Sequence, residues 1–204
     1  NGCKNNCLMT KLVYVHEGIE REAPRSERYR LINPYYFSGT RKGEENKELW
    51  DEVYDYLNRH YDLEKVKRIY VNADGGAWIK AGMKRISNLV YVLDGFHLEK
   101  YIIKLTSHML DTTEDAKAEL RRAIRKGKKA DFRDVVERLK LSIETEAGLK
   151  RIEKAGEYIL SNWTAAKYRL SHKEGVIGSS TEGHVSHLLS DRMSSRPMGW
   201  SQTG

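Results

Sequence analysis

Residues 71–80 read VNADGGAWIK. The β-formers of KRIYVNAD (67–74) end in an acid, two glycines follow, and AWIKAGMKRI (77–86) then has the pattern of a short helix. Fourteen residues after Asp74 a second run, NLVYVLD (88–94), also ends in an acid followed by glycine. It is mostly apolar, as a strand buried on both faces should be. Strand, helix, strand predicts a crossover with a parallel pair. Asp74 and Asp94 would then occupy the same place on neighbouring strands. The C-terminal ends of parallel strands share one edge, where sites collect. Two readings of Asp74 follow. It can N-cap the helix from Ala77 or close an Asx turn. Or it can join Asp94 in a carboxylate cluster whose repulsion a divalent cation relieves, Mg²⁺ being a hard ion suited to oxygen ligands.

Upstream, KLVYVHEGIE (11–20) alternates apolar and polar residues and predicts a half-buried strand. Pro24 breaks it. YRLINPYYFSG (29–39) is a second strand, with Pro34 marking an edge position. The two predict an antiparallel pair with a long connection. A helix is predicted over 44–61, with Leu49, Val53, Tyr56 and Leu57 on one stripe. Downstream, Lys100 to about Arg169 is charged and helical, with no strand pattern. Thr113 is placed as an N-cap, and Gly127 with Lys128 as a stop between helices. The stretch from 179 to 201 holds Glu182, His184 and His187 on a short helix ended by Pro197, with Arg192 and Arg196 close by as expected contacts to DNA phosphates. The expected organisation is a first part over 1–99, an all-helical insertion over 100–172, and a helix and tail over 173–204.

The 204 residues carry 36 Lys and Arg against 29 Asp and Glu, a formal charge of +7. The pI is about 9.3. That sign favours a polyanionic partner, nucleic acid first. RRAIRKGKK (121–129) supplies Arg121, Arg122, Arg125 and Lys126, which read either as a phosphate-binding patch or as a solvated helix end favoured by the helix dipole. No apolar run of ~18 residues predicts a membrane span. The only cysteines, Cys3 and Cys7, are expected as free thiols in a reducing cytoplasm. His97, three residues after Asp94, suits either a metal site or a capped helix with a half-buried ring. His184 and His187 lack the i, i+4 spacing with an intervening Glu of zinc hydrolases.

The segments KLVYVHEGIE, RYRLINPYYFSG, ELWDEVYDYL, IYVNADGGAWIK, VLDGFHLEKYI and STEGHVSHLLSDRMSSRPMGWS together resemble ISLre-type bacterial insertion-sequence transposases, many of them grouped only as an uncharacterised protein family. The likeness spans nearly the whole chain. These proteins are similar to Mutator-type DDE transposases. The resemblance implies an α/β, ribonuclease-H-like mixed sheet with an all-helical insertion, and Mg²⁺- or Mn²⁺-dependent cutting and joining of DNA at insertion-sequence ends by an oligomer. It implies Asp74 as the second catalytic acid and Glu182 as the third, both metal ligands. It implies Asp94 and His97 as an accessory D-x-x-H motif, with His184 and His187 near Glu182. The pattern's first Asp lies on a central strand ahead of KLVYVHEG, where this sequence has not yet begun. Glu17 matches the end of the antiparallel second strand and is not expected to replace it. The chain therefore resembles the C-terminal part of a transposase and is expected to be inactive alone. The rival expectations are a non-catalytic nucleic-acid-binding remnant, and a metal-dependent hydrolase using His97, His184 and His187.

Overall fold

The computed structural model describes residues 10–41, 43–109 and 111–176, which fall into two compact units, residues 10–63 and 64–176. The first is a β-hairpin with a helix. Strand β1 (Lys11–Val15) pairs antiparallel with β4 (Tyr35–Gly39), and β2 (Gly18–Arg21) with β3 (Tyr29–Ile32). The two predicted strands are thus four, because each breaks at its middle. The register does not slip across the break: Val15 faces Tyr35 and Gly18 faces Ile32. Asn33 turns into the left-handed region at φ +48°, and Pro34 has no N–H to give the ladder. The Glu17 N–H still reaches the Ile32 carbonyl at 3.0 Å. The Glu17 carboxylate accepts from Asn33 Nδ2 (2.9 Å) and from the Tyr61 hydroxyl (3.1 Å). The long connection is a loop over 22–28, closed by the Glu22 N–H on the Arg28 carbonyl.

After a single 3₁₀ turn (Gly43–Glu45), α1 (Asn46–His60) buries Leu49, Trp50, Val53 and Leu57. Tyr56 is not in that core. Its ring stacks between Tyr35 (4.3 Å) and His60 (4.1 Å). Trp50 takes its place because positions 49, 50, 53 and 57 repeat at helical spacing.

The second unit opens with β5 (Ile69–Ala73), α2 (Ala77–Gly82) and β6 (Leu89–Leu93), the strands parallel with Ile69 opposite Leu89 and Ala73 opposite Leu93. Five helices follow: α3 (Gly95–Thr106), α4 (Thr113–Lys126), α5 (Lys129–Lys140), α6 (Glu146–Ser161) and α7 (Trp163–Ser171). The helical stretch therefore begins at Gly95, ahead of Lys100, because Asp94 is itself a good cap. Its core is Leu93, Leu98, Ile102, Leu105, Leu120, Ile124, Phe132, Ile152 and Ile159, with Trp163 edge-on to Phe132 at 5.4 Å. Gly127 ends α4 as expected. Its φ is +72°, and the Lys128 N–H reaches the Ala123 carbonyl at 3.0 Å. Thr113 does not cap α4. It is the first helical residue, its hydroxyl bonds back to the Met109 carbonyl, and Thr112 holds the cap position without a side-chain bond. The described strands form three two-stranded sheets, one parallel and two antiparallel. The architecture is mixed α/β.

Candidate functional site

The parallel pair sets the site. The Asp94 N–H donates to the Ala73 carbonyl at 2.9 Å, so the ladder runs to the last residue before Asp74 and fixes the two acids as neighbours on one edge. Asp74 is exposed. Its Oδ1 accepts from the Gly76 N–H at 3.0 Å, which is an Asx turn. The alternative cap on α2 is not formed: Gly76 holds that position and no side chain bonds there. Gly75 lies at φ +91°, and a Cβ on it would stand 2.7 Å from Asn162 Oδ1. The Tyr158 hydroxyl donates to the backbone carbonyl of Asp74.

Asp94 is held differently. Its Oδ2 accepts from the His97 N–H (3.1 Å) and lies 3.0 Å from His97 Nδ1. One carboxylate oxygen thus caps α3 and orients the half-buried ring, which is the capped-helix reading of the D-x-x-H spacing. The Asp94 side chain is 15% exposed and that of His97 27%. Phe96 stands edge-on to His97 and is half exposed. A Cβ on Gly95 would lie 2.5 Å from Arg169 Nη2.

Each acid is therefore followed by a glycine that makes room for a side chain of the α6–α7 corner. Asn162, 4% exposed, presses on Gly75, and Arg169, two turns further on, presses on Gly95. These two residues, with Tyr91 and Tyr158, are the parts that sequence reasoning missed. The available signal was the repeated acid–glycine step. The Tyr91 hydroxyl is 3.4 Å from the Ala73 carbonyl and 3.5 Å from Asn162 Oδ1. The Tyr158 ring stacks on Tyr101 at 3.6 Å. Burial, first, pushes the Tyr91 phenol far above its ordinary pKa, and the neighbouring Tyr158 and the charges of Asp74 and Asp94 add to it. Burial does the same for Tyr158, followed by Asp74, Tyr101 and Asp94. Both phenols stay protonated and act as donors.

The donor chemistry fits a hard divalent cation in part. Asp74 is an exposed oxygen ligand and Asp94 a neighbouring carboxylate already engaged with His97. Mg²⁺ is commonly held by one or two carboxylates with the rest water. Among the described residues no group of three His, Cys, Asp or Glu side chains is gathered for a metal. Glu182, His184, His187, Arg192 and Arg196 lie outside the described residues, as do Cys3 and Cys7.

On α4, Arg121 is not a free cation. Its Nε and Nη2 grip Glu99 at 3.1 and 2.6 Å, and that hydrogen-bonded carboxylate raises its pKa. Arg122, Arg125 and Lys126 are exposed and share one helix face. Among the described residues no helix is long and apolar enough to cross a membrane.

The family model described as an uncharacterised protein family, UPF0236, matches residues 4–204. A UPF0236 protein of Caldanaerobacter subterraneus subsp. tengcongensis is 39% identical over 194 residues, covering 95% of this chain and 37% of the relative. A second from the same organism, whose name joins eleven designations running from TTE0033 to TTE2212, is 37% identical over 194 residues, covering 95% of this chain and 39% of its own length. A UPF0236 protein in the vanSb 3′ region of Streptococcus gallolyticus is 27% identical over 201 residues, covering 94% and 41%. The chain spans about two fifths of the length of these relatives. No solved structure matches.

Proposed function

The chain belongs to the uncharacterised protein family UPF0236, and on that premise we propose that it is part of a DDE-type transposase that cuts and joins DNA at insertion-sequence ends. The observation that carries the reading is the Asp74–Asp94 edge, where the ladder bond from Asp94 to Ala73 sets two acids at neighbouring positions at the ends of parallel strands. A protein named under eleven designations in one organism also suits a sequence that copies itself. The fold this reading implies is ribonuclease-H-like.

Asp74, with Glu182 as the further acid that the resemblance implies, would hold Mg²⁺ or Mn²⁺. When bound, the ion supplies Lewis-acid stabilisation of the oxygens that gain charge during phosphodiester cleavage. The chain's own residues do the rest. Tyr158 and Asn162 fix the turn that aims Asp74. Asp94 fixes the His97 ring: a neutral imidazole donating Nδ1–H to the carboxylate carries its lone pair on Nε2, where it can accept a proton. The exposed face of Arg122, Arg125 and Lys126 would lie against DNA phosphates, and the partner is DNA rather than a membrane.

The test uses a whole-length protein carrying this sequence, Mg²⁺ and a duplex bearing an insertion-sequence end. Asp74→Asn is expected to abolish strand cleavage, at least ~10²-fold, while DNA affinity stays within about twofold. Asp74→Asn cutting at the normal rate would leave only the turn-forming role for Asp74. Binding without metal-dependent cleavage by the unaltered protein would favour a nucleic-acid-binding remnant.

A further inference from the structure

Arg169 stands out among the basic side chains of the second unit. Its Nη1 is shielded from solvent and has no hydrogen-bond partner. Arg41 also has a buried Nη1 without a partner, but its other nitrogens grip Glu52 at 2.5 Å and Glu48 at 3.6 Å. Arg169 forms no ion pair and no ring contact among the described residues. An unpaired buried donor costs ~1–3 kcal/mol, more when charged. Among the described residues nothing supplies a partner for that nitrogen. The spot is the first turn after Asp94: the guanidinium lies so close to Gly95 that any Cβ would meet Nη2 at 2.5 Å. Gly95 is thus the residue that lets the cation reach the acid edge, and α7 delivers it.

We propose that Arg169 is a substrate-binding residue whose guanidinium takes a non-bridging phosphate oxygen of the DNA strand brought to Asp74. The inference rests on the DNA-processing reading of the same edge. The chemistry is suitable. A guanidinium stays charged at every working pH and offers a planar fork that matches phosphate, where an ammonium offers only a point charge. A DNA phosphate arriving at two carboxylates is repelled, and a cation beside them offsets that repulsion.

Each phosphate contact contributes to the salt dependence of binding, which a purely structural arginine would not. Binding of a mixed-sequence DNA duplex is measured over a range of salt for the unaltered protein, Arg169→Gln and Arg169→Lys, each checked by its thermal melt. Arg169→Gln is expected to bind roughly tenfold more weakly and to lower the slope of log affinity against log salt by about 0.9. Arg169→Lys keeps the charge, so its slope holds while its affinity drops several-fold with the loss of the fork. An unchanged slope in a well-folded Arg169→Gln overturns the proposal. If Arg169→Gln does not fold, wild-type affinity in Arg169→Lys overturns it instead. Failure of the unaltered protein to bind any duplex would overturn the DNA reading itself, and this inference with it. Binding that is indifferent to Arg169 overturns this inference alone.

Discussion

At the scale of single residues, the two glycines after Asp74 are constrained unequally by their surroundings. Gly75 is needed twice over: its φ of +91° disfavours any side chain, and Asn162 fills the space a Cβ would use. Gly76 is less constrained. It has no positive φ, and its nearest neighbour is Trp78 Nε1 at 3.0 Å, at the movable end of a side chain. Gly75→Ala should therefore destabilise the protein by roughly 1–3 kcal/mol and Gly76→Ala by clearly less, as read from denaturant melts. The Asn162→Ala background should recover part of the Gly75→Ala loss but not all, since it relieves the contact and leaves the backbone strain. Equal costs for the two glycine changes would mean that the Asn162 contact does not constrain the turn.

At the scale of elements, the helices differ in how their ends are closed, and the differences are measurable. Thr145 caps α6, its hydroxyl accepting from the Gly148 N–H at 3.2 Å. Thr112 stands at the same position on α4 and makes no such bond. Thr145→Ala should cost about 1 kcal/mol and Thr112→Ala next to nothing. Identical melts for the two would show that cap geometry does not govern α6. The hairpin shows the same dependence on local chemistry. Its register survives the Asn33–Pro34 interruption because the Glu17 N–H keeps a ladder partner and the Glu17 carboxylate fastens both Asn33 and Tyr61. Burial first, and then Glu17, push the Tyr61 phenol up to about 12. This acid has a structural task in the first unit.

At the scale of the whole molecule, charge is unevenly shared. Residues 64–177 hold 24 Lys and Arg against 16 Asp and Glu, which is more than the entire net excess of +7. The proposed DNA contacts therefore belong to the second unit, and their contribution should fall steeply with salt. Replacing Arg122, Arg125 and Lys126 together by Gln is expected to lower the salt slope by up to about 2.7, at ~0.9 per phosphate, with the melt unchanged. An unaltered slope would assign the patch to ordinary solvation. The buried phenols give a pH signature of the same unit. Tyr91 and Tyr158 have folded-state pKa values raised above the unfolded value of about 10. The folded state then holds more protons above that pH, so stability is full below about pH 10 and is lost as pH rises toward the folded values. Tyr158→Phe should flatten this alkaline decline in a melt series. A decline of the same slope in the variant would place its source elsewhere.

The sequence by itself determined the type of most elements and the placement of Asp74 and Asp94 at strand ends. Alternation over 11–20, the apolar run NLVYVL, and the acid–glycine ends of two strands are local patterns, set by the two-residue period of a strand and the turn chemistry of Asp and Gly. Gly127 was equally legible, because a left-handed helix stop has one favoured residue. The sequence left open whether Asp74 caps a helix or closes a turn, and it gave the cap of α4 to Thr113. One residue of helical phase decides such matters, and phase is set by packing. Only the tertiary structure brought Tyr158, Asn162 and Arg169 to Asp74 and Asp94. These contacts span some 75–90 residues of chain and follow no period, so no local pattern encodes them. They form because the buried stripes of α3, α4, α5 and α6 fold onto one core, and α7, which adds Trp163, Ala165 and Ala166 to that core, is packed against β6 as a consequence.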